Sequence, residues 1–109
     1  MSYKSIFGKG IFRYTESILK KITVHLIIIS IVSSIYLVAG YNSDDWNGID
    51  EKKDSNFIEK FFNRFYFTTI TFSTIGYGDI SPKSDTLRLL TIIFAITMLV
   101  EYYVLYNME

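Results

Sequence analysis

A chain of 109 residues has room for one domain, and with 50% hydrophobic and 17% aromatic residues it is rich in apolar surface for its size. Its 11 basic and 11 acidic residues cancel, so no basic surface for nucleic acid is implied. Cysteine is absent, which excludes disulfides and thiolate metal sites; with a single histidine and no paired acids in an evident cleft, an enzyme is not expected.

Residues 1–21 read as an N-terminal interfacial helix. Phe7, Ile11, Tyr14 and Ile18 recur at helical spacing with basic residues between them, as in helices that lie on a membrane leaflet. The alternative is a solvated basic tail that only sets topology. The first apolar span follows, over residues 22–39. About 18 residues at about 1.5 Å each give about 27 Å, close to the ~30 Å hydrocarbon thickness. It is too long for a secretory leader, and no A-x-A site follows it. Ser30, Ser33 and Ser34 are expected to bond back to their own helix or to let a neighbour approach closely. His25 stands about one turn into the span. An ionisable group at that depth invites a functional role, and a neutral imidazole bonded to a neighbour is the plainer reading.

Residues 40–56 form a polar loop rich in Asn, Asp, Ser and Gly. Tyr41 and Trp46 are expected to anchor it at the outer interface. Its acids either concentrate cations or are simply solvated. Residues 57–73 hold too few consecutive apolar positions to span, and read as a pore helix that dips in and stops. Arg64 within it needs a partner if buried. Glu59 and Glu51 are the candidates, and a water-exposed position is the alternative.

The most informative stretch is Thr74-Ile75-Gly76-Tyr77-Gly78-Asp79, between the two apolar spans. A dehydrated cation needs a ring of oxygens at close range. Several copies of a loop supply one if successive backbone carbonyls all face one axis. That requires φ > 0 at some positions, which residues with a Cβ avoid. Gly76 and Gly78 remove the obstacle at alternate positions, and Thr74 adds a hydroxyl at the inner end. Ile75 and Tyr77 are expected to point away from the axis and pack against the scaffold. Irregular backbone at membrane depth must be enclosed by protein or line a water-filled path. One copy cannot enclose residues 74–78, and the chain has no internal repeat, so identical subunits must supply the symmetry. The helix ending at Ser73 would aim its negative C-terminal dipole at the enclosed centre.

The second span covers residues 87–106, with Arg88 at its start and Glu101 near its end. Three placements of Glu101 stay open: facing an inner vestibule, reaching the inner interface, or pairing with His25. Tyr102, Tyr103 and Tyr106 form either an interfacial aromatic belt or a constriction at the inner mouth. Lys4, Lys9, Arg13, Lys20 and Lys21 precede the first span, while the loop beyond it carries mostly acids. Both termini are therefore expected in the cytoplasm and residues 40–56 outside, in a multi-pass membrane protein.

With these elements in place, the chain resembles the two-transmembrane potassium channels, and in size looks most like the miniature potassium channels of large algal viruses. The likeness is specific at Thr74, Ile75, Gly76, Tyr77, Gly78 and Asp79, whose glycine–tyrosine–glycine core matches the loop that replaces the hydration shell of potassium. Elsewhere it is architectural. It implies an all-α membrane protein with two transmembrane helices, a re-entrant pore helix, a selectivity-filter loop and a tetrameric pore. It implies passive transport of K+ by a homotetramer in a lipid bilayer, with no cofactor. K+ would be held by the carbonyls of Thr74, Ile75, Gly76 and Tyr77 together with the Thr74 hydroxyl. The alternative is a non-conducting or regulatory subunit that co-assembles with larger potassium channels. The chain departs from the pattern in three places. Tyr66 stands where many relatives carry a tryptophan that braces the aspartate after the filter, and its hydroxyl is expected to reach Asp79 instead. Ile70 replaces an acid found in some bacterial relatives. The second span lacks glycine.

Overall fold

Pro82 is the only proline, so nothing before Gly40 forces the chain to break. In the computed structural model, the backbone is described for residues 3–107 and the side chains for residues 10–107. Helix α1 runs unbroken over Tyr3–Ala39. The expected division at residue 21 is absent, and the basic segment and the first span are one rod about 55 Å long. Gly8 and Gly10 each cost about 1 kcal/mol inside a helix, which the ladder on either side outweighs. Lys4, Lys9 and Phe7 lie outside the described side chains.

Ser30, Ser33 and Ser34 each donate to the carbonyl four residues back, at 2.8, 2.7 and 2.9 Å. The loop then holds two short 3-10 turns, Ser43–Asp45 and Glu51–Lys53, and strand β1, Trp46–Asn47. Helix α2 spans Phe57–Phe72. It starts at a cap in which the Asn56 side chain accepts from the Glu59 backbone N–H at 2.8 Å, while the Glu59 carboxylate accepts from Ser55. At about 24 Å, α2 is too short to cross a ~30 Å core. Strand β2, Ser81–Pro82, pairs antiparallel with β1, with Trp46 opposite Pro82 and Asn47 opposite Ser81. Ser84 caps helix α3, Asp85–Asn107, through its hydroxyl and carbonyl.

The regular structure among the described residues is thus helical apart from one two-residue ladder. Among the described residues, Gly10–Ala39 and Asp85–Asn107 are long and apolar enough to cross a membrane. The core is small and sits at the loop end of the rods. Tyr36 of α1 is fully buried, with edge-to-face contacts to Trp46, Phe67 and Phe94 at 5.3–5.4 Å and a 2.7 Å hydrogen bond to Thr91. Trp46 is only 4% exposed, and its indole donates to the Gly40 carbonyl at 2.8 Å. The expected interfacial anchor is instead a core residue, because the loop folds back and gives the indole N–H a backbone partner. Tyr41 remains exposed.

Candidate ion pathway and its supports

The segment after α2 has a backbone that few sequences tolerate. Thr74, Gly76 and Gly78 have φ of 69°, 59° and 77°, while Ile75 and Tyr77 between them do not enter positive φ. In an extended strand successive carbonyls point to opposite sides. Reversing the sign of φ at every second residue turns alternate peptides over, so that successive carbonyls can share one side. Gly76 and Gly78 reach this region freely. Thr74 does not: a β-branched residue at positive φ is an outlier worth about 1–3 kcal/mol of strain, and such strain clusters at functional sites. The two glycines were legible from residue type, whereas the strain at Thr74 was not.

The same residues finish the helix. Thr74 N–H reaches the Thr71 carbonyl at 3.3 Å, and Gly76 N–H turns back to the Ile70 carbonyl at 3.0 Å. Left-handed Thr74 thus ends α2 in the manner of an αL cap, and the turn leads directly into the alternating stretch. At the far end, the Tyr66 hydroxyl donates to Asp79 at 2.7 Å and ties the pore helix to the residue after the loop. The side chains of Ile75 and Tyr77 are 54% and 70% exposed, so their own chain supplies no scaffold for them.

A family model described as an ion channel matches residues 22–108. The chain belongs to this ion channel family. Its members are channels rather than enzymes. A stretch of 44 residues is 51% identical to the hyperpolarization-activated voltage-gated potassium channel of Methanocaldococcus jannaschii, covering 40% of this chain and 21% of that one. The two-pore potassium channel 4 of Arabidopsis thaliana is 51% identical over 37 residues, 34% of this chain and 13% of its own length. The voltage-gated potassium channel Kch of Escherichia coli is 37% identical over 67 residues, 62% of this chain and 13% of its own length. The chain therefore spans about a fifth or less of these relatives, and no solved structure matches it.

Behind the pore helix lies a buried polar cluster. Arg64 is fully buried, and its partner is Asp54 rather than Glu59 or Glu51. Glu59 is occupied by the helix cap, which takes it out of reach. The Arg64 guanidinium also donates to the Gly40 carbonyl twice (3.2 and 3.0 Å) and to those of Tyr41 and Lys60 (both 3.1 Å). The Gly40 and Tyr41 carbonyls lie just past the end of α1, where a helix leaves acceptors without partners and carries partial negative charge. Arg64 therefore caps α1 from α2. Asp54 in turn accepts from Ser43 at 2.6 Å, Asn63 at 2.9 Å and Lys60 at 3.2 Å. Burial alone would raise its pKa, but the hydrogen bonds from Arg64, Ser43, Asn63 and Lys60 outweigh burial and hold it at about 2, below 3.8.

Because that pKa is depressed in the folded state, its stabilisation is full above about pH 4 and is lost as pH falls toward about 2. The contribution is about 2 kcal/mol. A melting curve of the purified channel should accordingly shift down between about pH 5 and about pH 2.5, and an Asp54→Asn variant should lose part of that shift.

At the other end of the rods, His25 Nδ1 lies 2.9 and 3.0 Å from the two carboxylate oxygens of Glu101. Of the three placements open to Glu101, the structure adopts the pair with His25, joining α1 to α3. Tyr102 packs against the His25 ring at 5.2 Å. It also borders a pocket of about 180 Å³ shared with Thr71, Thr74 and Met98 below the loop. The inner tyrosines are therefore split. Tyr102 turns toward α1, whereas Tyr103 and Tyr106 are 72% and 84% exposed.

Proposed function

We propose that the chain is a potassium-selective channel that conducts passively through a homotetrameric pore, with both termini cytoplasmic. The observation that carries this reading is the alternation of φ at Thr74, Gly76 and Gly78 within a Thr-Ile-Gly-Tyr-Gly sequence. Four such loops around an axis would present the carbonyls of Thr74, Ile75, Gly76 and Tyr77, with the Thr74 hydroxyl, to dehydrated potassium. Family membership and potassium channels among the relatives support the choice of ion. The excess of Lys and Arg before the first span supports the orientation. Named relatives include an archaeal, a plant and a bacterial protein, so viral origin is no part of the proposal.

Exposed apolar surface supports assembly. Ile92, Ile96, Leu99, Tyr103 and Tyr106 form one uncovered stripe along α3, and Ile75 and Tyr77 lack a scaffold of their own. Neighbouring copies would cover the loop side chains, and the α3 stripe would turn to the common axis. Reconstitution of the purified chain alone, with reversal potentials under potassium and sodium gradients, tests the function. Equal permeability to the two ions would sink the selectivity. Absence of any current would favour a subunit that needs larger partners. Cross-linking in mild detergent is expected to give a ladder ending at four, and a monomer carrying full current would refute the assembly.

Helix α3 contains no glycine, so large bending has little support in the sequence. A side-chain gate at Tyr103 and Tyr106, on the exposed stripe of α3, is the alternative to bending. Replacing either by Ala is expected to raise open probability several-fold with selectivity unchanged, since a hydrophobic constriction gates by excluding water. Tyr102→Ala should act differently, by loosening the contact with His25. Single-channel recording distinguishes the two effects. Unchanged open probability in both Tyr103→Ala and Tyr106→Ala would move the gate to the filter.

A further inference from the structure

The outer loop touches the filter exit at a residue that the sequence does not mark. Gly48 follows β1 directly and has φ of +83°. A Cβ placed there would lie 1.7 Å from the Asp79 carbonyl oxygen and 2.9 Å from its carbon. The loop backbone therefore rests on the main chain of Asp79, with no room for a side chain between them. From the other side, the Tyr66 hydroxyl holds the Asp79 carboxylate at 2.7 Å. Asp79 is thus gripped twice, and it directly follows Gly78, the last residue of the alternating stretch.

The loop is a firm support. Trp46 is buried and bonded to Gly40. Asp45 accepts from the Lys83 and Ser84 backbone at 2.8 and 3.3 Å, and Asn47 reaches the Ser81 hydroxyl at 3.2 Å. The strand pair closes the same bracket around residues 79–84.

We propose that Gly48 is a positioning residue for the outer end of the filter. It acts through Asp79, touching no ion, and its close contact keeps the last carbonyls of the alternating stretch in register. The inference rests on the potassium-channel reading. Any other residue meets two obstacles. Positive φ is disfavoured once a Cβ is present. The overlap is with backbone, which no rotamer change relieves, so the two segments must part by roughly 2 Å before ordinary contact returns.

The test compares the parent tetramer with Gly48→Ala in planar bilayers. The readouts are the decay of current during sustained opening, its dependence on external potassium, and the sodium-to-potassium permeability ratio. Cross-linking checks assembly. Gly48→Ala is expected to assemble, to decay at least threefold faster, and to be rescued by raised external potassium. Tyr66→Phe releases the other grip on Asp79, so the double variant should fall short of the product of the two single effects. An assembled Gly48→Ala channel with parental decay, potassium dependence and permeability overturns the proposal. If Gly48→Ala does not assemble, Asn47→Ala decides, because it cuts only an exposed link in the bracket. A smaller shift in the same direction supports the proposal, and none overturns it. A parent chain that passes no potassium-selective current refutes the channel reading instead. Hydrogen exchange across residues 76–80 then still tests the bracket: several-fold faster exchange in Gly48→Ala upholds it, and equal exchange overturns it.

Discussion

Gly76→Ala is expected to abolish potassium current while leaving membrane insertion and assembly intact. Nothing lies within 4 Å of a Cβ built at Gly76, so the substitution creates no clash in the chain itself. Its effect is conformational. At φ of 59° an L-residue with a Cβ costs about 1–2 kcal/mol. A homotetramer meets that cost four times, about 4–8 kcal/mol per pore. The cost is relieved by turning a peptide over, and a turned peptide aims its carbonyl away from the axis. One misdirected carbonyl per ring already breaks the coordination that replaces water. At about 1.4 kcal/mol per decade, the conducting arrangement falls at least about 10³-fold in population. Current from equal amounts of cross-linked tetramer measures this. Gly10→Ala is the control: Gly10 is exposed on α1 with open space around it, and its replacement should leave current unchanged. Normal selective current in Gly76→Ala would show that the filter does not depend on the alternation of φ.

How far this architecture was legible in the sequence depends on the range of the interaction. Apolar length alone located α1 and α3, because a span is a local property. The loop was legible through Gly76 and Gly78, since positive φ is written in residue type. The Tyr66–Asp79 contact was expected only through the resemblance to potassium channels, in which a tryptophan at that place braces the aspartate after the filter. The sequence did not show the continuity of α1, where helical propensity across residues 20–22 competes with an assumed membrane boundary. It was also silent on the burial of Trp46, whose partners Tyr36 and Phe67 lie on two different helices. Gly48 looked like one more turn glycine, and its contact with Asp79 exists only once β1 meets β2. Asp54 was hidden for a related reason. Lys60, Asn63 and Arg64 share a helix face, and that spacing was the available sign that an acid must oppose them. Glu59 and Glu51 were the acids considered, whereas Asp54 reaches the face because the chain turns just before the cap.

Removing Arg64 should be the most damaging single change to stability. Arg64→Met leaves the buried Asp54 without its guanidinium and strips donors from the Gly40 and Tyr41 carbonyls. Breaking one side of a buried ion pair costs about 3–5 kcal/mol when the remaining charge is left uncompensated; Lys60 still faces Asp54 at 3.2 Å, so the loss falls at the lower end. Arg64→Lys should recover only part of this. An ammonium keeps the charge, but it lacks the fork that bonds Asp54 and the three carbonyls together. The double variant Arg64→Met, Asp54→Leu separates two explanations. If the ion pair alone mattered, an apolar replacement of both partners would restore stability to within about 1 kcal/mol of the parent. If the cap on α1 matters as well, the Gly40 and Tyr41 carbonyls still lose the guanidinium's bonds, and a hydrogen bond from a charged donor is worth about 1.5–3 kcal/mol. Trp46 still serves Gly40 at 2.8 Å and Lys60 still serves Tyr41 at 2.9 Å, so neither carbonyl is left bare and the loss is that of the guanidinium's additional bonds. We therefore expect the double variant to remain about 2 kcal/mol below the parent in thermal or denaturant unfolding of the detergent-solubilised protein. Full recovery would reduce Arg64 to the counter-ion of Asp54, whereas a persistent deficit makes it the device by which the pore helix holds the end of α1.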